Sequence, residues 1–198
     1  MITIKYSISD VKEFQCGNLS LNAIKIDVPN TIDEMMKKAA PIAITLCIIM
    51  FVTMILKTTL NHTVVVHPLA IFIGFIIGFI MLPIHEWLHA IVYPRDAAVT
   101  IGKIKGKMIF VALASYPIKR KRFILMCLLP FILGIVPLLA FVFSPAEHRV
   151  FNGLMFGMAC MGMVSPFPDV YNVISVLKYS KPNDKIMFYE DDIFRISN

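Results

Sequence analysis

Apolar residues fall in four long blocks, and the charged residues collect between them. Residues 39–56 carry no charge and end at Lys57. Residues 64–92, 123–143 and 151–177 repeat the pattern, with prolines and a few polar positions set into them. A hydrocarbon core of ~30 Å takes roughly 20 helical residues, so each block predicts a membrane-crossing helix. Pro68 suits a first helical turn and Pro94 marks an end. Pro130 and Pro137 predict kinks in the third span, and Pro166 and Pro168 a break in the fourth.

The remaining segments are polar or mixed. Residues 1–38 form a leader, in which Thr31 stands three residues ahead of Glu34 as at a helix start. The leader is expected to end in an amphipathic helix that enters the membrane. Residues 178–198 form a polar tail with an acidic patch at Glu190-Asp191-Asp192. Within the long loop 94–122, residues 101–105 and 108–112 give a weak hairpin signal about Gly106-Lys107. The expected fold is an all-α membrane protein of about four transmembrane helices, with a short β-hairpin-like cytoplasmic loop after the second. Its divisions are a cytoplasmic leader (1–38), a membrane domain (39–177) and a cytoplasmic tail (178–198).

Composition agrees with this pattern. Hydrophobic residues make up 58% of the chain and charged residues 16%, whereas a soluble domain has about a quarter charged. The net charge of +6 raises the question of nucleic acid. The basic residues, however, number 5 in the leader, 1 between the first two blocks, 8 in the long loop, 1 before the last block and 4 in the tail. That alternation follows the positive-inside rule, places both termini in the cytoplasm and excludes a nucleic-acid partner. A multi-pass protein of a bacterial cell membrane, with the lipid bilayer as partner, is expected. The four cysteines form no CxxC and predict no disulfide. The sequence does not fix an oligomeric state.

The chemistry concentrates in His85-Glu86-Trp87-Leu88-His89, an HExxH inside the second block. On a helix the two histidines lie one turn apart on one face and can grip one Zn2+, and Glu86 can act as general base. Two imidazoles and a carboxylate are costly in an apolar segment unless they serve a function. A third ligand is needed. His67 lies 18 residues before His85 on the same block, about 27 Å away along a helix, and is excluded. His62, Glu147 and His148 fall at the opposite membrane face. Asp169, an acid in an apolar block, comes at the same depth as the histidines and is the favoured ligand. Asp96, just beyond Pro94, is the rival. Glycines four apart at Gly74/Gly78 and Gly153/Gly157 suggest that the second and fourth spans approach closely.

An HExxH on one membrane helix, with an Asp beside prolines on a later one, resembles the site-2 protease class of intramembrane zinc metalloproteases. The closer likeness is to a bacterial family of zincin-type peptidases without known function, over residues 70–195. It rests on the HEWLHA stretch, Tyr116-Pro117 in a basic loop, a proline-bearing third span, and Pro168-Asp169-Val170-Tyr171-Asn172. The resemblance implies His85, His89 and Asp169 as zinc ligands and Glu86 as catalytic base. Two positions depart from the site-2 pattern: Val170 follows the Asp where Gly is usual, and Ser165 stands where Asn is expected. Asn172 is a candidate to position substrate in their place, with helix packing as its other reading. The expected function is hydrolysis of peptide bonds in membrane or membrane-proximal protein substrates. The alternative is a non-catalytic zinc-binding scaffold or metal-handling subunit.

Overall fold

The computed structural model describes residues 1–29 and 31–197, apart from the side chain of Ile32. Among the described residues, four helices are long and apolar enough to cross a membrane: Asp33–Asn61, Pro68–Val92, Arg120–Phe143 and Arg149–Tyr179. All four expected blocks are present, with shifted ends. The expected leader helix and the first span are one helix, α1 (Ile32–Asn61). Thr31 caps it, its hydroxyl accepting the Glu34 N–H at 3.2 Å. Lys57, which closes the first block in the sequence, is buried inside α1. Its ammonium donates to the carbonyls of Phe141 and Ser144 (2.8 Å for the latter) and to Asn152 Oδ1 at 3.2 Å. A charge satisfied in this way does not oblige the helix to stop.

Prolines divide the other spans. The second is α2 (Pro68–Ile80) and α3 (Leu82–Val92). This interruption was not expected from the sequence. Pro83 has no N–H to return to the turn before it, and the ladder breaks at Met81. The third is α4 (Arg120–Leu128), a 3-10 turn at Leu129–Phe131, and α5 (Ile132–Phe143) with Pro137 inside it. The fourth is α6 (Arg149–Val164) and α7 (Phe167–Tyr179), parted at Ser165-Pro166.

The chain divides into two compact units. One, Ala40–Leu82 with Pro130–Phe167, is helical. Here α2 and α6 meet through the expected glycines. A Cβ on Gly74 would fall 3.0 Å from Gly157 Cα, and closer still to the Leu154 carbonyl oxygen. Gly134 on α5 and Gly162 on α6 meet in the same way, backbone against backbone. Phe141, Phe156, Val65 and Met50 fill the space between.

The other unit, Met1–Ala39, Pro83–Leu129 and Pro168–Asn198, contains two sheets. The all-α expectation is corrected here. Its strands are β1 (Ile2–Ile8), β2 (Ala23–Lys25), β3 (Val99–Ile104), β4 (Phe110–Leu113), β5 (Ile118–Lys119), β6 (Lys185–Tyr189) and β7 (Asp192–Ile196). The expected hairpin is β3–β4, turning at Gly106 with φ +76°. The leader adds β1 in parallel to β3, giving the order β1-β3-β4. The second sheet runs β2-β7-β6-β5, built by the leader, the tail and, through β5, the end of the long loop. The acidic patch spans the two-residue turn of the β6–β7 hairpin, Glu190-Asp191, and the first residue of β7, with Tyr189 paired to Asp192 and Glu190 at φ +53°. Val99 and Ile101 from one sheet and Ile186 and Ile193 from the other share a buried cluster with Ala90, Phe123, Met126 and Val176 of the helices.

Candidate metal centre

The periodicity of α3 sets His85 and His89 one turn apart on its buried face. The break at Pro166 opens a new helix whose first turn carries Asp169. Both pieces belong to the same compact unit. Across it, His85 Nε2 and His89 Nε2 stand 3.1 Å apart. Asp169 Oδ2 lies 3.4 Å from the first and 3.5 Å from the second. Zinc bonds of about 2.0–2.2 Å at tetrahedral angles put neighbouring ligand atoms about 3.3–3.6 Å apart. The three atoms stand close to that spacing, as three ligands of one ion would.

The donor set also suits a cation. His89 Nδ1 donates to the Met126 carbonyl of α4 at 2.9 Å, which leaves the neutral ring's lone pair on Nε2, facing the other two ligands. That lone pair, the His85 Nε2 and a carboxylate then converge on one point. This is the only such group of three His, Cys, Asp or Glu side chains among the described residues.

Glu86 is largely shielded, its Oε1 3.9 Å from His85 Nε2. The backbone amide of Ala112 on β4 interacts with its carboxylate. Ile104 N–H bonds to the Ile109 carbonyl at 2.9 Å, which sets the alternation of the hairpin ladder. Gly102–Val111 and Thr100–Leu113 exchange hydrogen bonds, so Ala112 turns its N–H and C=O away from β3. β4 is the edge of its sheet, and that open edge runs past Glu86.

Asp96, the rival ligand, is elsewhere. It lies in the exposed turn after α3 and accepts a hydrogen bond from the Tyr116 hydroxyl. That bond holds the Asp96 carboxyl below its usual range and pushes the Tyr116 phenol up. His62, His67, Glu147 and His148 belong to the helical unit and are outside the group of three. Asn172 is buried one turn beyond Asp169, and its carboxamide has no hydrogen-bond partner among the described residues. Sequence reasoning missed the Met126 carbonyl and the Ala112 amide. Both are backbone groups, which no side-chain pattern reports.

Comparison with known families now decides the class. The chain belongs to the family described as "Putative zincin peptidase". The match covers residues 78–183, just over half the chain, and takes in α3, the β3–β4 hairpin and α7. Zincin membership suggests a metallopeptidase and implies zinc, for which the cluster of His85, His89 and Asp169 is a possible site. No curated protein and no solved structure matches the chain.

Proposed function

We propose that this zincin is a multi-pass membrane metallopeptidase of site-2-protease-like architecture, cleaving membrane or membrane-proximal protein substrates. The observation that carries the reading is the convergence of His85 Nε2, His89 Nε2 and Asp169 Oδ2, at 3.1–3.5 Å, beside Glu86. These three residues would hold the metal. Zinc supplies Lewis acidity there, acidifying water and polarising a scissile carbonyl.

The chain's own groups do the rest. Glu86 takes the proton of the attacking water and delivers it to the leaving amine. The Ala112 amide stands beside its carboxylate and favours the charged form. Substrate enters as an extended segment beside β4, where the outward N–H and C=O of Phe110 and the outward C=O of Ala112 are available to pair with it. Such an edge selects unfolded or locally unwound segments, because a helix has no unpaired backbone to offer. The Asn172 carboxamide, one turn from Asp169 and without a partner, is available to hold a substrate amide. The wild-type zone around Asp169 therefore combines a ligand, a base and a positioning group.

Metal analysis of purified protein tests the scheme. Glu86→Ala retains one zinc and loses peptide hydrolysis, and His85→Ala loses the zinc. Absence of zinc from the wild type under metal-replete purification sinks the reading. A non-catalytic scaffold would keep its zinc and be indifferent to Glu86→Gln in every functional assay.

A further inference from the structure

The two helices that carry the candidate ligands end in the same way. In α3 the last carbonyl, that of Val92, would accept the Asp96 N–H if the helix ran on. That N–H faces the Asp96 carboxylate instead. In α7 the Leu177 carbonyl would accept the Lys181 N–H. That N–H goes to Asp184 Oδ2 at 2.8 Å. Each helix thus closes on a backbone carbonyl deprived of its own donor, an end that needs a partner from elsewhere.

Both partners come from the first turn of α4. Arg122 Nε donates to the Val92 carbonyl, and Arg120 Nη2 donates to the Leu177 carbonyl at 3.2 Å. Residues two apart on a helix point about 200° apart, so one turn can reach two helices at once. The two positive charges also meet the negative ends of both helix dipoles. Lys121, between them, is exposed and has no partner among the described residues. Further along α4, Phe123, Met126 and Cys127 enter the buried cluster that holds Ala90 and Val92 of α3 and Val173 and Val176 of α7. One turn past Arg122, the Met126 carbonyl accepts the His89 Nδ1 hydrogen at 2.9 Å. Thus α4 grips both ligand-bearing helices by their ends and one ligand ring directly.

We propose that Arg120 and Arg122 are positioning residues for the metal centre. Through α4 they hold α7 and α3 at the separation that brings Asp169 to His85 and His89. The inference rests on those three residues being the metal ligands. Neither arginine belongs to the trio, and each acts through a helix end. The sign of the effect separates positioning from simple electrostatics. A cationic side chain repels a divalent ion, so its removal should tighten zinc by charge alone. Positioning requires the opposite.

The test uses full-length protein in detergent. Zinc affinity is read by chelator competition, and Co2+ in place of zinc is read by its visible absorption, which is intense in a four-coordinate site. Arg122→Gln should weaken zinc about ten-fold, the scale for groups that orient a ligand, and should dim the Co2+ bands. Arg120→Gln should do the same. Lys121→Gln, the charge-matched control, should do neither. Arg122→Lys returns a donor to the Val92 carbonyl and should recover most of the affinity, which sets positioning apart from a general loss of fold. Failure of that recovery overturns the proposal, as does an equal loss in Lys121→Gln. Arginine variants with wild-type affinity and Co2+ bands also overturn it, and leave the metal centre standing. A wild type that takes up no zinc overturns the metal centre and the proposal with it.

Discussion

At the scale of single residues, the metal centre turns on which groups touch which. Glu86→Gln keeps the shape of the side chain and removes its basicity. It should lower kcat by about 10²–10⁴-fold with zinc content unchanged, measured by peptide hydrolysis alongside metal analysis. Asp169→Asn keeps an oxygen in place but weakens the ligand, so zinc affinity should fall at least ten-fold in a chelator competition assay. The Asp96–Tyr116 pair makes a pH-dependent prediction away from the membrane. Tyr116 is raised by its bond to Asp96, so the pair's contribution is present below the ordinary tyrosine range and is lost as pH rises through the folded value. For Asp96, held low, the contribution is present above the ordinary carboxylate range and lost as pH falls through the folded value. Ultraviolet titration of Asp96→Asn, read against Tyr116→Phe, should therefore show one phenol moving to lower pH.

At the scale of elements, β4 and the glycine contacts carry separate consequences. The Ala112 N–H is not part of the β3–β4 ladder, so Ala112→Pro should leave the circular dichroism nearly unchanged while hydrolysis falls. Val111→Pro, which removes a ladder donor, should disturb the fold itself. Gly157→Leu would drive a side chain into the backbone of α2 and should cost about 1–3 kcal/mol, measured as a lowered unfolding midpoint in detergent. The elements also show what could be read from sequence. The four apolar blocks, the HExxH face, the Pro166 break and the Gly106 hairpin were legible, because hydropathy and backbone-restricted residues report directly on local structure. β1 was legible only as an alternation in seven residues, too short to outweigh its polar surroundings. The β6–β7 hairpin was hidden because its turn is Glu190-Asp191, which lacks the usual Asn-Gly or Asp-Gly signal. Lys57 was read as a stop because a sequence does not display the carbonyls of Phe141 and Ser144 that accept its protons.

At the scale of the whole molecule, the proposed orientation puts leader and tail on one side of the membrane. Cys16 is exposed in the leader, whereas Cys127 is buried. A membrane-impermeant maleimide should thus label Cys16 in inverted vesicles and not in intact cells, and labelling from outside would reverse the topology. The sheet-bearing unit draws on three separated stretches of chain, and this affects the order of synthesis. β2 finds its partner only in β7, and β5 only in β6, both made after the last span. Asp169 reaches the ribosome exit long after His85 and His89. A nascent chain carries its two imidazoles for some eighty residues of synthesis, roughly the separation of His89 from Asp169, without the carboxylate that completes the trio. On the proposed function, such a chain stays inert beside its own unfinished copies and gains its cutting power only once α7 has been made.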